Sequence, residues 1–471
     1  MANPYKTHWH NRRAAHWLRK APERAAGTRA APECIVLEAE GQDSRKPAVR
    51  IFLGTEPGQY RATRTFIWSV MKVRDSSRRY EIYLMCDLAG IDREGWKTGF
   101  TNYRYAIPHL AGGTGRAIYN DVDQIYLSDP ALLFDKEMNG KGVLAIDQKE
   151  NSVMLIDCDI MGARWTLEDV QAGEKHAHFK GIVADNDLFA PMPGTWNSRD
   201  GEYPIEETDC LHYTTLHTQP WKPFPDLLRY DDNPHGGVWH KLEREADAAG
   251  YLMFTRDAPS AESRELISLY EQMHEGGAEA AKANPDVPNP FLGWSLSKHT
   301  GAIRSLIDES GSKHLLDYGA GKAASYTVPA GADPAGAVRA HAEWPGVSVH
   351  CYDPGHPPFS TLEDGPFDGV ISTDVVEHLA PFDVAWTLDE MFARARRFVY
   401  VVAACYPAKK VLPNGRNAHS VIEPPYWWHQ QMALTARRYP DVDWRLVCET
   451  RGPLGAKVRN VISKDQPSPL D

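Results

Sequence analysis

The sequence lacks the features that mark membrane, secreted and nucleic-acid-binding proteins. Its longest apolar run, residues 398–405, has the length of a strand and is too short to cross a bilayer. Residues 1–30 are rich in arginine and alanine but lack the continuous apolar segment of a secretory signal. A net charge of −11 disfavours nucleic acid as a partner. We therefore expect no transmembrane segment and no nucleic-acid partner.

Cysteine is also scarce. The seven cysteines are scattered, odd in number and never spaced as a Cys-x-x-Cys pair. This pattern disfavours both a disulfide framework and a structural zinc site of the usual kind. It favours a reducing compartment, and we expect a cytoplasmic protein.

The composition is that of an ordinary globular protein, and the chain contains two α/β-like halves. With 471 residues, 42% hydrophobic and 24% charged, the chain is long enough for two domains. Strand-like and helix-like stretches alternate in both halves, which predicts two α/β domains. The first half has a helix at 61–73 and strands at 49–54, 80–85, 116–119, 143–146 and 152–156. The second has a helix at 297–307 and strands at 314–316, 347–352, 369–372, 398–403, 444–449 and 458–462.

A composition change separates the halves. The pattern turns helical after residue 238, and Gly276, Gly277 and the proline-rich stretch 284–290 interrupt it. We predict a basic N-terminal tail (1–45), a first domain (46–240), a helical connector and linker (241–290) and a second domain (291–471).

The first motif with chemical meaning is an apolar strand that ends in Asp121-Val122-Asp123. Alternate residues of a strand point the same way, so the two carboxylates project together. Hard carboxylate oxygens suit Mg²⁺ or Mn²⁺, which usually completes its shell with phosphate oxygens of a substrate. The motif predicts a metal that holds a nucleotide sugar, although two acids at a strand end can also form a solvated turn.

The surrounding residues resemble a known family. Residues 101–105, 119–130 and 133–134, together with 211–214 and 219–221, resemble the retaining glycosyltransferases of family 8, the glycogenin-like group. This resemblance implies a GT-A nucleotide-sugar-binding αβα domain. It also implies roles for individual residues: metal ligands at Asp121, Asp123 and His212; nucleotide phosphate and base contacts at Arg104 and Tyr60; and Asp185 and Asn186 beside the anomeric carbon.

Two departures bear on these roles. Gln219 stands where the family has a lysine, so Lys222 becomes the candidate cation for the diphosphate. Residues 151–153 read Asn-Ser-Val and lack the glycine of the family's Asn-x-Gly. The Asp185-Asn186-Asp187 triplet could equally be a polar loop, and His212 could be a structural histidine.

A second motif, residues 314–323, is an apolar strand running into a turn with Gly319 and Gly321. Such a turn also occurs in nicotinamide-binding folds. Downstream, Asp353 ends the next strand, and residues 367–379 contain Phe-Asp followed by Asp374-Val-Val-Glu-His. These features resemble the class I S-adenosylmethionine-dependent methyltransferases and imply their Rossmann-like fold.

By that resemblance, Asp317, Gly319 and Gly321 lie along the methionine portion of the donor. Asp353 takes its ribose, and Asp374 lines the pocket. His378 is the candidate general base, although the Glu-His pair could instead brace the sheet edge. Ala323 replaces the usual last glycine, and the stretch 325–346 is longer than usual.

A loop after the 398–405 strand supplies candidates for the acceptor. Arg416, Asn417 and His419 could hydrogen-bond a sugar or similar polar molecule. The aromatic run at 426–428, Tyr-Trp-Trp, could stack on it or belong to the core.

Together the motifs predict a bifunctional enzyme, a metal-dependent retaining glycosyltransferase joined to a methyltransferase that acts on a glycan or small polar acceptor. The alternative is a methyltransferase whose first domain is catalytically silent and only binds carbohydrate or nucleotide sugar. A third possibility is a scaffold in which both folds are degenerate.

Overall fold

The computed structural model describes residues 29–41, 45–91, 98–225, 228–276, 291–327, 340–452 and 455–470. The chain divides into two compact units, Met1–Met253 and Phe254–Asp471, and both are mixed α/β. Across these described ranges, no helix combines the length and the apolar character needed to cross a membrane.

The first unit is built on a seven-stranded sheet with the order β1-β3-β2-β4-β7-β6-β8. Strands β2, β3 and β4 are parallel, whereas β1 and β7 run antiparallel to their neighbours. The strands are β1 (Glu33–Leu37), β2 (Val49–Gly54), β3 (Tyr80–Met85), β4 (Arg116–Asp121), β6 (Val143–Ala145), β7 (Val153–Asp157) and β8 (Phe189–Pro191). The middle of β4, residues 117–120, is fully buried, as expected for a central strand.

A small second sheet, β5-β10-β9, lies beside the end of β4. It consists of β5 (Gln124–Tyr126), β9 (Ser198–Arg199) and β10 (Cys210–His212). The α-helices of this unit are α1 (Tyr60–Val73), α2 (Ile107–Leu110), α3 (Ala131–Phe134), α4 (Cys158–Met161), α5 (Leu167–Gln171), α6 (His176–Asp185) and α7 (Gly236–Ala248). Helix α1 is held against α7 by the buried ion pair of Arg61 with Glu243, at 2.7 Å.

The second unit is built on a six-stranded sheet with the order β12-β11-β13-β14-β15-β16. All neighbouring strands are parallel except β16, which is antiparallel to β15. The strands are β11 (His314–Tyr318), β12 (Ser348–Tyr352), β13 (Phe367–Thr373), β14 (Ala395–Ala404), β15 (Asp443–Arg451) and β16 (Lys457–Ser463). The helices are α8 (Ala261–Glu275), α9 (Thr300–Ser310), α10 (Ala324–Thr327), α11 (Ala340–Glu343), α12 (Val384–Arg394) and α13 (Pro425–Ala436).

The order of these strands creates a crevice. The chain places β12 on one side of β11 and then returns to place β13 on the other. In open α/β sheets, ligands bind at the carboxyl ends of strands where the order reverses in this way. The fold therefore places a binding site beside the ends of β11 and β13.

The core of the second unit includes both tryptophans of α13. Trp427 and Trp428 are 2% and 0% exposed and pack with Leu388, Met391 and Met432. Of the two alternatives for these rings, stacking on an acceptor or a place in the core, the structure shows the core for both.

The boundaries of the units differ from the sequence prediction. Strand β1 lies inside the predicted tail 1–45 and pairs with β3, although only part of its length is buried. The predicted connector 241–290 is shared, since the end of α7 belongs to the first unit and α8 to the second. The Gly/Pro stretch at 277–290 and the long segment at 328–339 lie outside the described residues.

Candidate functional site

The first candidate site lies where β4 ends beside the small sheet. Strand β4 delivers Asp121, the turn that follows carries Asp123, and antiparallel pairing of β10 with β5 brings His212 opposite Gln124. The backbone N–H of Tyr213 donates to the carbonyl of Asp123 at 2.8 Å and fixes this register. One ligand atom from each of Asp121, Asp123 and His212 lies within 4.8 Å of the others. The structure thus assembles these three residues, as the sequence predicted.

The surroundings of His212 orient it towards the carboxylates. Its Nδ1 lies 2.7 Å from Asn197 Oδ1, and its Nε2 lies 3.1 Å from Asp123 Oδ1. Burial disfavours the imidazolium, but the charges of Asp123 and Asp121 outweigh burial and raise the pKa of His212. A ring fixed at Nδ1 with Nε2 aimed at two carboxylates has the arrangement of a metal-ligating histidine.

The donor set fits a divalent cation. Asp123 Oδ1 is buried and makes no hydrogen bond of acceptable geometry within the ranges described. Its other oxygen accepts a hydrogen bond from Gln219 Nε2 at 3.2 Å. Burial and the charge of Asp123 raise the pKa of Asp121, although Arg104 opposes this effect. A buried, incompletely bonded carboxylate beside a second carboxylate is stabilised by a cation.

Arg104 takes a role that the sequence did not predict. Its Nη2 lies 2.9 Å from Asp121 Oδ1, which also accepts a hydrogen bond from the Tyr119 hydroxyl. Its Nη1 donates to the carbonyl and side-chain oxygens of Asn151, at 2.7 and 2.9 Å. Arg104 is only 4% exposed. In this structure it positions Asp121, and each of its three guanidinium nitrogens already bonds a protein oxygen.

The two remaining residues predicted to contact the donor are Tyr60 and Lys222. Tyr60 begins α1 and is 1% exposed, so neither face of its ring is available to a base in this structure. The predicted stacking is therefore not supported. Lys222 is half-buried and follows Gln219 in a turn, with a positive φ of 45° and its N–H bonded to the Gln219 carbonyl.

The predicted catalytic residues Asp185 and Asn186 lie before the amino end of β8, the edge strand three places from β4 in the large sheet. The triplet precedes β8. Phe189 of β8 pairs with Val143 of β6, and across β7 this pair lies at the same level as Ala117 of β4. Asp121 is four residues further along β4, which is about 13 Å at the usual rise of a strand. Asp185 and Asn186 are both exposed, and the neighbouring Asp187 pairs with Lys141 at the start of β6. This placement does not support a position beside the reacting carbon, and the triplet forms the exposed polar end of α6.

The second candidate site is a cavity of about 1010 Å³ within the second unit. It opens at the carboxyl ends of β11, β12, β13 and β14. Its wall includes predicted residues from every one of these strand ends, namely Asp317, Gly319, Gly321, Asp353, Asp374, Glu377, His378 and His419.

The glycine turn after β11 is tightly packed. Gly319 has φ of 86°, and a Cβ there would lie 2.4 Å from a methyl of Val375. Gly321 has φ of 59°, and a Cβ there would lie 2.3 Å from the carbonyl oxygen of Phe291. Both positions therefore require glycine. Ala323, where the sequence departs from the usual glycine, also has a positive φ, of 52°.

Two acids flank this turn. Asp353 is held by the backbone N–H groups of Gly321, at 2.8 Å, and Gly355, at 2.9 Å, one to each carboxylate oxygen. Asp317 accepts a hydrogen bond from the Tyr326 hydroxyl at 2.9 Å. Burial, with a smaller contribution from the charge of Asp353, raises the pKa of Asp317 to about 7. Each carboxylate oxygen can accept more than one hydrogen bond, so Asp353 keeps acceptor capacity towards the cavity that it lines.

The predicted acceptor residues divide between the cavity and the framework. Arg416 forms an ion pair with Glu262 of α8. Asn417 bonds the backbone of Ala408 at both N–H and carbonyl, each at 2.9 Å. These two side chains hold the loop, so their predicted contact with an acceptor is not supported. His419 alone of the three lines the cavity.

Sequence reasoning missed one wall of the cavity. Helix α8 contributes Leu266, Tyr270 and His274, and Phe291 closes the same side. The sequence showed this region only as part of a predicted helical connector, so nothing marked it as part of a site. The basic residues Lys410, Arg451 and Lys457 were also missed, and they line the cavity near the ends of β14 and β15.

Comparisons with known proteins add little to this geometry. No protein-family model matches the sequence, and no curated protein matches it. Among solved structures, the bifunctional glycosyltransferase WbbM is 13% identical, with 43% of this chain and 53% of that chain covered and a TM-score of 0.32. This chain thus spans about half the length of WbbM.

Two further solved structures are similar to the chain to the same degree. The glycosyltransferase GlyE of Streptococcus pneumoniae is 13% identical, with 76% of this chain and 91% of that chain covered and a TM-score of 0.32. The galactosyltransferase LgtC, bound to donor and acceptor sugar analogues, is 12% identical, with 41% and 95% covered and a TM-score of 0.30. At such TM-scores neither a fold nor a function follows from the likeness.

Proposed function

We propose that the protein is a bifunctional transferase. Its first unit is a metal-dependent retaining glycosyltransferase that uses a nucleotide sugar. Its second unit is an S-adenosylmethionine-dependent methyltransferase that acts on a glycan or another small polar acceptor. The observation that carries the first half of the proposal is the meeting of Asp121, Asp123 and His212 from β4, the following turn and β10.

In the first unit, the three residues would hold Mn²⁺ or Mg²⁺, which would offset the charge of a donor diphosphate. Asn197 keeps His212 in the ligating orientation, and Arg104 fixes Asp121. Gln219 donates to Asp123 where the resembled family has a lysine, so this chain places less positive charge beside the diphosphate. Lys222, three residues later, is the nearest cation in sequence.

In the second unit, Asp353 would accept hydrogen bonds from the ribose hydroxyls, since backbone N–H groups hold both of its oxygens in place. The close turn at Gly319 and Gly321 would let the backbone approach the methionine portion, with Asp317 beside it. S-adenosylmethionine would supply an electrophilic methyl group. The volume of about 1010 Å³ leaves room for an acceptor next to the donor.

The runner-up function is a methyltransferase with a catalytically silent first unit that binds carbohydrate or nucleotide sugar. Two observations favour it. Arg104 is engaged with Asp121 and Asn151, and Asp185 and Asn186 lie at the far edge of the sheet. No side chain predicted to act at the anomeric carbon is then in place.

The deciding experiment is a panel of nucleotide sugars, scored for donor hydrolysis and for transfer with Mn²⁺. Hydrolysis of one donor that requires Mn²⁺ and is lost in Asp123→Ala would support the bifunctional enzyme. Donor binding without hydrolysis, together with methyl transfer from S-adenosylmethionine to a glycan, would favour the silent first unit. Absence of binding by every donor would reject the glycosyltransferase assignment and would restrict a silent first unit to carbohydrate binding.

A further inference from the structure

A second cluster of ligating side chains lies in the wall of the cavity. Glu377 and His378 sit in the 3₁₀ turn Val376–His378 after β13, and His419 lies in the loop that follows β14. One atom from each of the three lies within 4.8 Å of the others. The two imidazole rings are nearly perpendicular, at 89°, with centroids 4.8 Å apart.

Both histidines are fixed through the same nitrogen. His378 Nδ1 lies 2.8 Å from the carbonyl oxygen of Ala418, and His419 Nδ1 lies 2.6 Å from that of Tyr406. A carbonyl oxygen only accepts, so Nδ1 carries the proton in each ring. The Tyr270 hydroxyl also lies 2.8 Å from His378 Nδ1, and it donates to the same Ala418 carbonyl at 2.7 Å. When the rings are neutral, both Nε2 atoms therefore present lone pairs. Hydrogen bonding of Nδ1 to a carbonyl is the usual support of a metal-ligating histidine.

Glu377 offers the third possible ligand of the cluster. It is fully buried, and its Oε1 accepts a hydrogen bond from the backbone N–H of Ala404 at 3.1 Å. Its Oε2 is buried without a hydrogen-bond partner anywhere in the described part of the chain. His419 Nε2 lies 4.0 Å from Oε1. An unpaired buried carboxylate oxygen is costly, and a cation removes that cost.

We propose that Glu377, His378 and His419 form a binding site for a divalent transition-metal ion, open to the cavity. Two imidazole nitrogens and one carboxylate favour Mn²⁺, Fe²⁺, Co²⁺ or Zn²⁺ over Ca²⁺. Ligand atoms in a tetrahedral site with bonds of about 2.1 Å lie about 3.4 Å apart. His419 Nε2 and Glu377 Oε1, which are 4.0 Å apart, would therefore approach each other by about 0.6 Å when the metal binds. Three protein ligands leave at least one position for an oxygen from the cavity.

The cavity indicates what occupies that open position. Under the proposed methyltransferase function, on which this step rests, the acceptor lies beside the donor in the same cavity. A hydroxyl oxygen of the acceptor then completes the coordination. The metal site itself depends only on the three side chains and their hydrogen bonds.

The test uses the full-length protein with Co²⁺, whose visible absorption reports nitrogen ligation. The Asp123→Ala variant serves as the background, because it removes a ligand of the first cluster. In that background we expect one equivalent of Co²⁺ to bind, and His419→Gln to weaken binding at least a hundredfold. His350→Gln is the matched control on β12, since its ring bonds Thr361 and Glu363 away from the cluster. It is expected to bind Co²⁺ like the background.

Folding is checked by thermal unfolding of each variant. Co²⁺ should raise the melting temperature of the background and of His350→Gln, and should leave His419→Gln and Glu377→Gln unchanged. Equal Co²⁺ affinity in the background, His419→Gln and Glu377→Gln would overturn the site. S-adenosylmethionine binding is measured separately by calorimetry. Binding of Co²⁺ without binding of S-adenosylmethionine would support the metal site and reject the proposed methyltransferase. Binding of S-adenosylmethionine without binding of Co²⁺ would reject the metal site alone.

Discussion

The carboxylates of the two candidate sites have different kinds of hydrogen-bond partners. In the first unit, side chains bond one another: Arg104 and Tyr119 bond Asp121, and Gln219 bonds Asp123. In the second unit, backbone N–H groups hold Asp353 at both oxygens. A ligand of the first site has to exchange side-chain partners, whereas a ligand of the second meets acceptors fixed by a turn. The first site should therefore respond more strongly to charge and pH, and the second to shape.

The largest expected effect tests the charge dependence of the first site. Asp123→Ala removes a metal ligand, and we expect Mn²⁺-dependent donor hydrolysis to fall by more than about a hundredfold. Asp185→Ala is the matched carboxylate, and it should leave the rate unchanged because Asp185 precedes the edge strand β8, three strands from β4. Steady-state rates with purified protein measure both. A large loss in Asp185→Ala would place that residue at the reacting carbon after all.

Next in size is the loss of a fixed acceptor in the second unit. Asp353→Ala should weaken S-adenosylmethionine binding roughly ten- to a hundredfold, since hydrogen bonds to a charged group contribute about 1.5–3 kcal/mol. Calorimetry gives the affinity. Asp308→Ala, on the exposed face of α9, is the control and should bind normally. Unchanged affinity in Asp353→Ala would remove this acid from the site.

A third prediction concerns pH. Burial raises the folded pKa of Asp317 to about 7, above an unfolded value near 4. Between these pH values the folded state binds more protons than the unfolded state. Protonation of Asp317 therefore contributes fully to stability below about pH 4, and this contribution is lost by about pH 7. Asp317→Asn keeps a neutral side chain at every pH. The melting temperature of the wild type minus that of Asp317→Asn should therefore decrease as the pH rises from 5 to 8.

A parallel pH dependence of wild type and Asp317→Asn would show that Asp317 does not titrate in this window. Asp364→Asn, an exposed residue outside the cavity, is the matched control and should follow the wild type.

The smallest effect separates framework from site in the 406–419 loop. Asn417→Ala removes side-chain hydrogen bonds to Ala408 and His419, and should lower the free energy of unfolding by about 1–3 kcal/mol. Affinity for S-adenosylmethionine should change less than about twofold, because Asn417 bonds the loop backbone. Chemical denaturation and calorimetry on the same preparation check both. Normal stability with impaired methyl transfer would return Asn417 to the acceptor site.

Residues at strand ends were predictable from the sequence because the strand fixes their place. Asp121, Asp353 and Asp374 follow apolar runs, and parallel strands bring such ends to one edge of a sheet. The placement of His212 at the first cluster was also predicted, but only through the family resemblance, since nothing local links residue 212 to residue 123.

Other positions depend on sheet order and packing, which the local sequence does not contain. Asp185 is placed by the pairing of β8 with β6, and that pairing puts it before the amino end of the edge strand, away from the carboxyl end of β4. Arg416 and Asn417 are the polar residues of a loop, and only the structure shows that Glu262 and the backbone of Ala408 already occupy them. Helix α8 carries no motif at all, yet it forms a wall of the cavity.

The position of β14 has a consequence for synthesis of the chain. Residues 398–404 are buried throughout, and β15, made some forty residues later, covers their open side. A nascent chain that stops before β15 therefore presents an apolar, unpaired strand edge, which is a template for aggregation. Premature termination near residue 440 should accordingly yield insoluble protein rather than a shortened enzyme.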